Sequence, residues 1–95
     1  MTDAPAAPAR SELSEEDQIM RDLIEYIPEA LVDQPEKVRV DVISGGTSCI
    51  LELHVARDDV GKVIGRQGRT ARAIRTLLAA AGMKVQKRFV LEILE

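Results

Sequence analysis

The sequence predicts an α+β domain of two layers, a three-stranded mixed sheet covered on one face by three helices in the order α-β-β-α-α-β. Three observations lead there. The apolar period is helical over 14–27, alternates over 38–42 and 49–55, and is helical again over 69–81. Ser44-Gly45-Gly46-Thr47-Ser48 joins the two alternating stretches as a hairpin connection, with glycine supplying positive φ. A second glycine link, Gly65-Arg66-Gln67-Gly68, joins two helical stretches. The chain after the second strand must therefore cross over, right-handed, and return parallel to it.

Residues 1–13 (MTDAPAAPARSEL) are rich in Ala and Pro and carry no apolar period. They are expected to form a disordered tail, with the domain over 14–95. Ser14 is the expected N-cap of the first helix, with Glu15, Glu16 and Asp17 in the first turn, where negative charge suits the helix dipole. Ile19, Leu23 and Ile27 recur at helical spacing, with Met20 and Ile24 as further members of the stripe. Pro28 removes a backbone donor and disfavours the helical conformation at Ile27, so the helix should end or kink there, with another turn over Glu29 to Val32.

Asp33-Gln34-Pro35-Glu36 reads as a turn. Val38, Val40 and Val42 then alternate with Arg39 and Asp41, the mark of a half-buried strand. In the second strand, Cys49 to Val55, one face holds Cys49, Leu51, Leu53 and Val55, and the other holds Ile50, Glu52 and His54. Arg57-Asp58-Asp59 opens a short helix, with either Asp as N-cap and Val60, Val63 and Ile64 on its apolar side. The next helix spans 69–81, buries Ala71, Ile74, Leu77 or Leu78, and Ala81, and should stop at Gly82 in the C′ position. Lys84 to Leu94 completes the sheet as a long strand whose period breaks at Lys87 and Val90. The face of the sheet away from the helices has no predicted cover. Ile43, Ile50, Val90 and Leu94 on it would make a modest apolar patch, a candidate oligomer surface.

Ninety-five residues bound the chain to one domain with a modest core, filled by aliphatics because Tyr26 and Phe89 are its only aromatic residues. The single cysteine, Cys49, rules out an internal disulfide and fits a reducing cytoplasm. No signal peptide and no membrane-spanning stretch is visible, so a cytoplasmic protein is expected. The net charge of -3 hides a segregation. Residues 1–36 carry ten acids and two bases, whereas 37–95 carry eleven bases and six acids. Charge alone leaves open whether the basic half faces a polyanion or only water.

The second glycine link decides more. Two glycines let the backbone of Arg66 and Gln67 approach a ligand closely, and the following helix presents free N–H groups and a positive dipole end. Arg66, Arg69, Arg72 and Arg75 follow at three-residue spacing. The pattern reads as a loop that holds a nucleic-acid backbone. The nucleotide-binding alternatives fail. A P-loop needs four residues between its glycines and then Gly-Lys-Ser/Thr, and the dinucleotide fingerprint needs its first two glycines one residue apart, after a strand.

Val63-Ile64-Gly65-Arg66-Gln67-Gly68 followed by Arg69-Thr70-Ala71-Arg72-Ala73-Ile74-Arg75 resembles the core of the KH domain, two helices joined by a G-x-x-G loop. The order of elements is similar to the bacterial type II arrangement, and the resemblance covers roughly residues 17–95. Pro28 and the tail depart from the family pattern.

The resemblance implies a module that clamps about four nucleotides of single-stranded RNA. Gly65 and Gly68 would admit the phosphates, Arg66 and Gln67 would contact them at the tip, and Lys62, Arg69 and Arg72 would neutralise neighbours. Thr70 would offer a hydroxyl or amide. Val63, Ile64 and Ile74 would line the groove for bases, with core packing as the rival role for Ile64 and Ile74 and plain solvation as the rival role for Arg75. The resemblance also implies self-association, pairing with a larger multidomain KH-containing RNA-binding protein, and work as a post-transcriptional regulator or RNA chaperone linked to cell elongation and division.

With no aromatic residue near the loop, base stacking worth roughly 1–3 kcal/mol per base is missing, so binding should be weak, salt-sensitive and of low sequence preference. No enzyme is expected. His54, the only histidine, lacks catalytic neighbours in sequence, Cys49 reads as a core residue, and no metal-ligand cluster or cofactor motif is legible. The reading from a different class is a protein-interaction subunit whose sheet face or helix pairs with another protein, RNA contact being secondary.

Overall fold

The computed structural model describes residues 12–95. Helix α1 (Glu15–Glu29) is followed by strands β1 (Arg39–Gly45) and β2 (Ser48–His54), helices α2 (Val60–Ile64) and α3 (Arg69–Val85), and strand β3 (Arg88–Leu94). The sheet order is β1-β2-β3, with β1 antiparallel and β3 parallel to β2. The expected α-β-β-α-α-β order and mixed sheet are therefore found.

Most of the tail drawn over residues 1–13 lies outside the described residues. Leu13, however, is buried in the core. Ser14 caps α1 as expected, its Oγ accepting from the Asp17 amide at 3.2 Å. The helix is rotated from the predicted stripe. Ile24 is fully buried, Met20 and Ile27 pack at the edge of the core, and Ile19 is exposed. The cause is Asp17, which shares the buried side at 1% exposure. Its carboxylate accepts from Ser44 Oγ at 2.7 Å, and Lys87 Nζ lies 2.8 Å from both of its oxygens, hydrogen-bonded to Oδ2. One carboxylate thus ties α1 to the end of β1 and the start of β3. Pro28 sits buried in the last turn of α1. The helix ends one residue later, and the Pro28 carbonyl accepts from Leu31 and Val32 in the expected further turn.

In the hairpin, Gly46 at φ +58° and Thr47 form a two-residue link between the strands, shorter than predicted. Val40, Val42, Cys49, Leu51, Leu53, Phe89 and Leu91 face the helices and pack with Ile24, Val63, Ile74 and Leu78 in one core. That burial supplies most of the drive to fold.

Two boundaries are corrected. α3 does not stop at Gly82 but runs on to Val85, so Lys84 and Val85 belong to the helix and β3 begins only at Arg88. Gly82 is small because β3 enters against it: a Cβ there would overlap the Lys87 carbonyl oxygen. The left-handed stop is Gln86 at φ +56°, after which the Lys87 amide donates to the Gly82 carbonyl at 2.9 Å. Among the described residues no helix is long and apolar enough to cross a membrane.

Candidate nucleic-acid interface

The glycine link and the helices beside it make one compact site. α2 is short because Gly65, at φ +79°, turns the chain out of it, its amide closing the last turn on the Gly61 carbonyl at 2.9 Å. Arg66 to Gly68 form a single tight turn, with Gln67 at φ +56° and Gly68 at φ +72°. The amides of Gly68 and Arg69 are used inside it, on the Gly65 and Arg66 carbonyls. Those of Arg66 and Gln67 donate to no backbone group among the described residues. Two amides at a loop tip without a partner among the described residues are donors for an anion. Gly65 is obligatory for a second reason. A Cβ on it would overlap Thr70, which packs its hydroxyl and backbone against the turn. Thr70 therefore shapes the loop.

The cations divide into two sets. Arg66 and Arg69 are exposed and make no ion pair or side-chain hydrogen bond among the described residues. Arg72 folds back over the turn, its Nη2 donating to the Gln67 carbonyl at 3.3 Å, and Arg75 Nη2 donates to the Leu91 carbonyl of β3 at 3.4 Å. Neither bond neutralises charge, so the row stays positive. Lys62 differs. Its Nζ lies 3.2 Å from Asp33 and 3.8 Å from Asp59. Bonding to Asp33, helped by that carboxylate's charge, raises its pKa, so Lys62 is paired within the protein where Arg66 and Arg69 are not.

Beside the loop runs an open groove of about 400 Å³, lined by Ile64, Gly68, Ala71, Arg72, Arg75 and Ile93. Ile64, 37% exposed, lies at its wall; Val63 is buried in the core and does not line the groove as expected, and of the two roles open for Ile74 the structure shows core packing. Ala71 and Ile93 belong to it and were not foreseen. Ile93 arrives from β3, whose facing the broken period obscured, and Ala71 carries only its small size as a signal. The floor is apolar and the rim cationic, which suits bases below and phosphates above.

Asp58 and Asp59 form no acid–base pair, and neither side chain caps α2. Asp59, 1% exposed, accepts from the amides of Asp33 and Gln34 at 3.2 and 3.0 Å, pinning the chain after α1 beneath the start of α2. Cys49 is fully buried, and burial, helped by the nearby Asp17 charge, pushes its thiol up to about 12. On the open face of the sheet, the hairpin register brings Asp41, Glu52 and His54 together with ligand atoms within 4.8 Å of one another, a cluster not legible in the sequence. Asp41 Oδ2 stands 3.1 Å from His54 Nε2, close enough for an ion pair with a protonated ring but not along a hydrogen-bond direction. Asp41 is also paired with Arg39 at 3.3 Å, and the group is partly exposed, so it reads as a surface charge cluster.

Residues 21–93 match the family model described as "KhpA/KhpB, KH domain". The chain belongs to the KhpA/KhpB KH-domain family. The order of its elements is the type II KH arrangement. Among similar KhpA/KhpB family proteins is one from Borreliella burgdorferi, 55% identical over 74 residues, covering 78% of this chain and 90% of that protein. Another, from Clostridium acetobutylicum, is 53% identical over 75 residues, covering 79% of this chain and all of the relative. A third, from Aquifex aeolicus, is 51% identical over 76 residues, covering 80% and 96%. Each of the three bears the name RNA-binding protein KhpA. The span matched to the KhpA/KhpB model contains the loop, the groove and all three strands except Leu94.

Proposed function

We propose that this chain is an RNA-binding protein that holds single-stranded RNA by its backbone at the Gly65–Gly68 loop. The observation that carries the reading is the loop tip. The amides of Arg66 and Gln67 and the guanidinium groups of Arg66 and Arg69 have no partner among the described residues, and they belong to the same turn as Gly68, which lines the apolar groove. Phosphates take the amides and guanidiniums, and bases lie along Ile64, Ala71 and Ile93. Gly65 and Gly68 permit the turn, Thr70 braces it, and Arg72 adds charge, with Lys62 contributing least because Asp33 holds it. The names of the relatives support RNA as the ligand. In the cell the role is that of a cytoplasmic post-transcriptional regulator or RNA chaperone linked to cell elongation and division.

Phe89 is buried and Tyr26 lies on α1, so neither offers a stacking platform at the groove. Affinity for a lone monomer is therefore weak and carried by phosphate contacts, with low sequence preference. A second reading, a subunit that pairs with a larger multidomain KH-containing RNA-binding protein, draws on the uncovered sheet face, where Ile43 is 51% exposed.

Fluorescence anisotropy with a short unstructured RNA at two salt concentrations tests the loop. The comparison is the double change Arg66→Asp and Gln67→Asp, whose fold is checked by circular dichroism. Asp tolerates the left-handed backbone at position 67. Loss of binding in the folded variant is expected. Binding equal to wild type would remove the loop from the site.

A further inference from the structure

By exposure alone Asp41, Glu52 and His54 make a surface charge cluster, but three observations on the open sheet face take them further. The first is register. Asp41 and Glu52 are direct cross-strand partners, and His54 lies two residues beyond Glu52, diagonal to Asp41, so all three side chains rise from one face. Their ligand atoms stand within 4.8 Å of one another. The second is the state of His54. Its Nε2 is buried and has no hydrogen-bond partner among the described residues, although Asp41 Oδ2 stands 3.1 Å away. A buried ring nitrogen that faces a carboxylate without a hydrogen bond needs a reason. Two donors that share one zinc-sized ion, each about 2.1 Å from it in a tetrahedral or octahedral array, lie about 3.0–3.4 Å apart. The Asp41–His54 separation of 3.1 Å falls in that range.

The third observation is charge. Asp41, Glu52 and Glu92 form one acidic row across β1, β2 and β3. Among the described residues only Asp41 meets a cation from outside the cluster, Arg39 at 3.3 Å, while Glu52 and Glu92 make no ion pair. Like charges directly opposite one another on a sheet repel, and a cation set among them relieves the repulsion.

We propose that Asp41, Glu52 and His54 bind one divalent transition-metal cation of the zinc type on the open face of the sheet. One imidazole nitrogen and two carboxylate oxygens suit a borderline ion such as Zn²⁺, whereas Mg²⁺ and Ca²⁺ take oxygen ligands. Small torsional shifts of the partly exposed Glu52 side chain bring its oxygen in to complete the set. Glu92, opposite Glu52 and exposed, adds attraction for the ion. Cys49 does not compete as a ligand, because it is fully buried on the helix-facing side of the sheet. Arg39 does compete, since its guanidinium holds the same Asp41 oxygen that faces His54. Its side chain is 63% exposed and free to swing away. The bound ion ties β1 to β2 and stabilises the folded chain by mass action. The loop and groove belong to the helix layer, so the proposal stands independently of RNA binding.

Isothermal titration calorimetry of the tag-free chain with ZnCl₂, from about 1 μM to about 1 mM, tests it. Proton NMR of the imidazole runs beside it, and its signals belong to one residue because His54 is the only histidine. The variants are His54→Gln, Asp41→Asn, Glu52→Gln and Arg39→Gln, each checked for fold by circular dichroism, with MgCl₂ as the control ion. One Zn²⁺ per chain is expected, with the His54 signals shifting at that stoichiometry and staying still in Mg²⁺. Each ligand substitution should weaken binding at least about tenfold. Arg39→Gln should tighten it about threefold or more, since it removes the competing cation. Wild type that takes up no zinc to about 1 mM overturns the proposal. So does uptake that leaves the His54 signals unmoved or is indifferent to His54→Gln, which would mark an adventitious ion only. An Arg39→Gln variant that binds no tighter than wild type overturns it as well.

Discussion

Gly65 and Thr70 face each other across the loop so closely that a Cβ at position 65 would lie 2.9 Å from the Thr70 amide nitrogen and overlap its hydroxyl. Gly68, by contrast, has open space, its nearest neighbour being Arg72 Nη2 at 3.9 Å, although its φ is +72°. The two glycines therefore differ in kind. Gly68→Ala carries only the left-handed backbone penalty, about 1 kcal/mol. Gly65→Ala adds a steric conflict with backbone, for a total above about 2 kcal/mol, and displaces the turn. Urea unfolding should rank them in that order, and RNA anisotropy should show the larger loss for Gly65→Ala. Equal effects would mean that Thr70 yields easily.

The ion pair between Lys62 and Asp33 makes a prediction about salt. Each phosphate neutralised by a free cation contributes about one to the slope of log affinity against log salt. Arg66→Ala and Arg69→Ala should each lower that slope by about one. Lys62→Ala should lower it by less, because its charge is already met at 3.2 Å. Asp33→Ala, which leaves Lys62 closer to a free cation, should strengthen RNA binding at low salt. An Asp33→Ala variant that binds no better would place Lys62 outside the RNA path.

Asp17 links stability to pH. Burial by itself would raise its carboxyl, but hydrogen bonds from Lys87 and Ser44 and the Lys87 charge outweigh it and hold the pKa below the usual carboxylate value. A carboxyl whose folded pKa is depressed stabilises the fold fully above its unfolded value, near 4, and the contribution fades as pH falls below that through the folded pKa. Wild-type urea midpoints should therefore drop between about pH 5 and pH 2. Asp17→Asn should be less stable at pH 7 by roughly 2–3 kcal/mol, since it leaves Lys87 without its buried partner, and its midpoint should drop less on acidification. Parallel pH profiles for the two proteins would show that Asp17 is not the titrating group.

How much of this was legible in the sequence depended on whether a residue's role was local. The alternation from Cys49 to Val55 states a burial pattern directly, and every second residue is buried as read. The turn at Gly65–Gly68 is equally local, because its conformation needs glycine at two fixed places. Gly82 was misread because glycine has two uses. A helix can stop on it or pack closely through it, and only the approach of Lys87 from beyond the helix distinguishes them. Ile19 looked buried and Asp17 looked like one more first-turn acid suited to the helix dipole, because the Asp17 partners lie 27 and 70 residues away in sequence. The wall that Ile93 gives the groove, and the grip of Asp59 on Asp33 and Gln34, are likewise products of tertiary contact.

The loop and both its helices lie wholly within the crossover between β2 and its parallel neighbour β3. Parallel pairing is non-local, and its loop-closure entropy must be met before the contacts form. Arg75 is anchored on the Leu91 carbonyl and the groove takes Ile93 as a wall, so both finishing pieces come from the strand that pairs last in chain order. During synthesis the glycine turn can form early, but the groove stays incomplete until β3 has left the ribosome and docked. The proposed site is thereby tied to completion of the fold, and a chain stalled before residue 88 carries the motif without the groove.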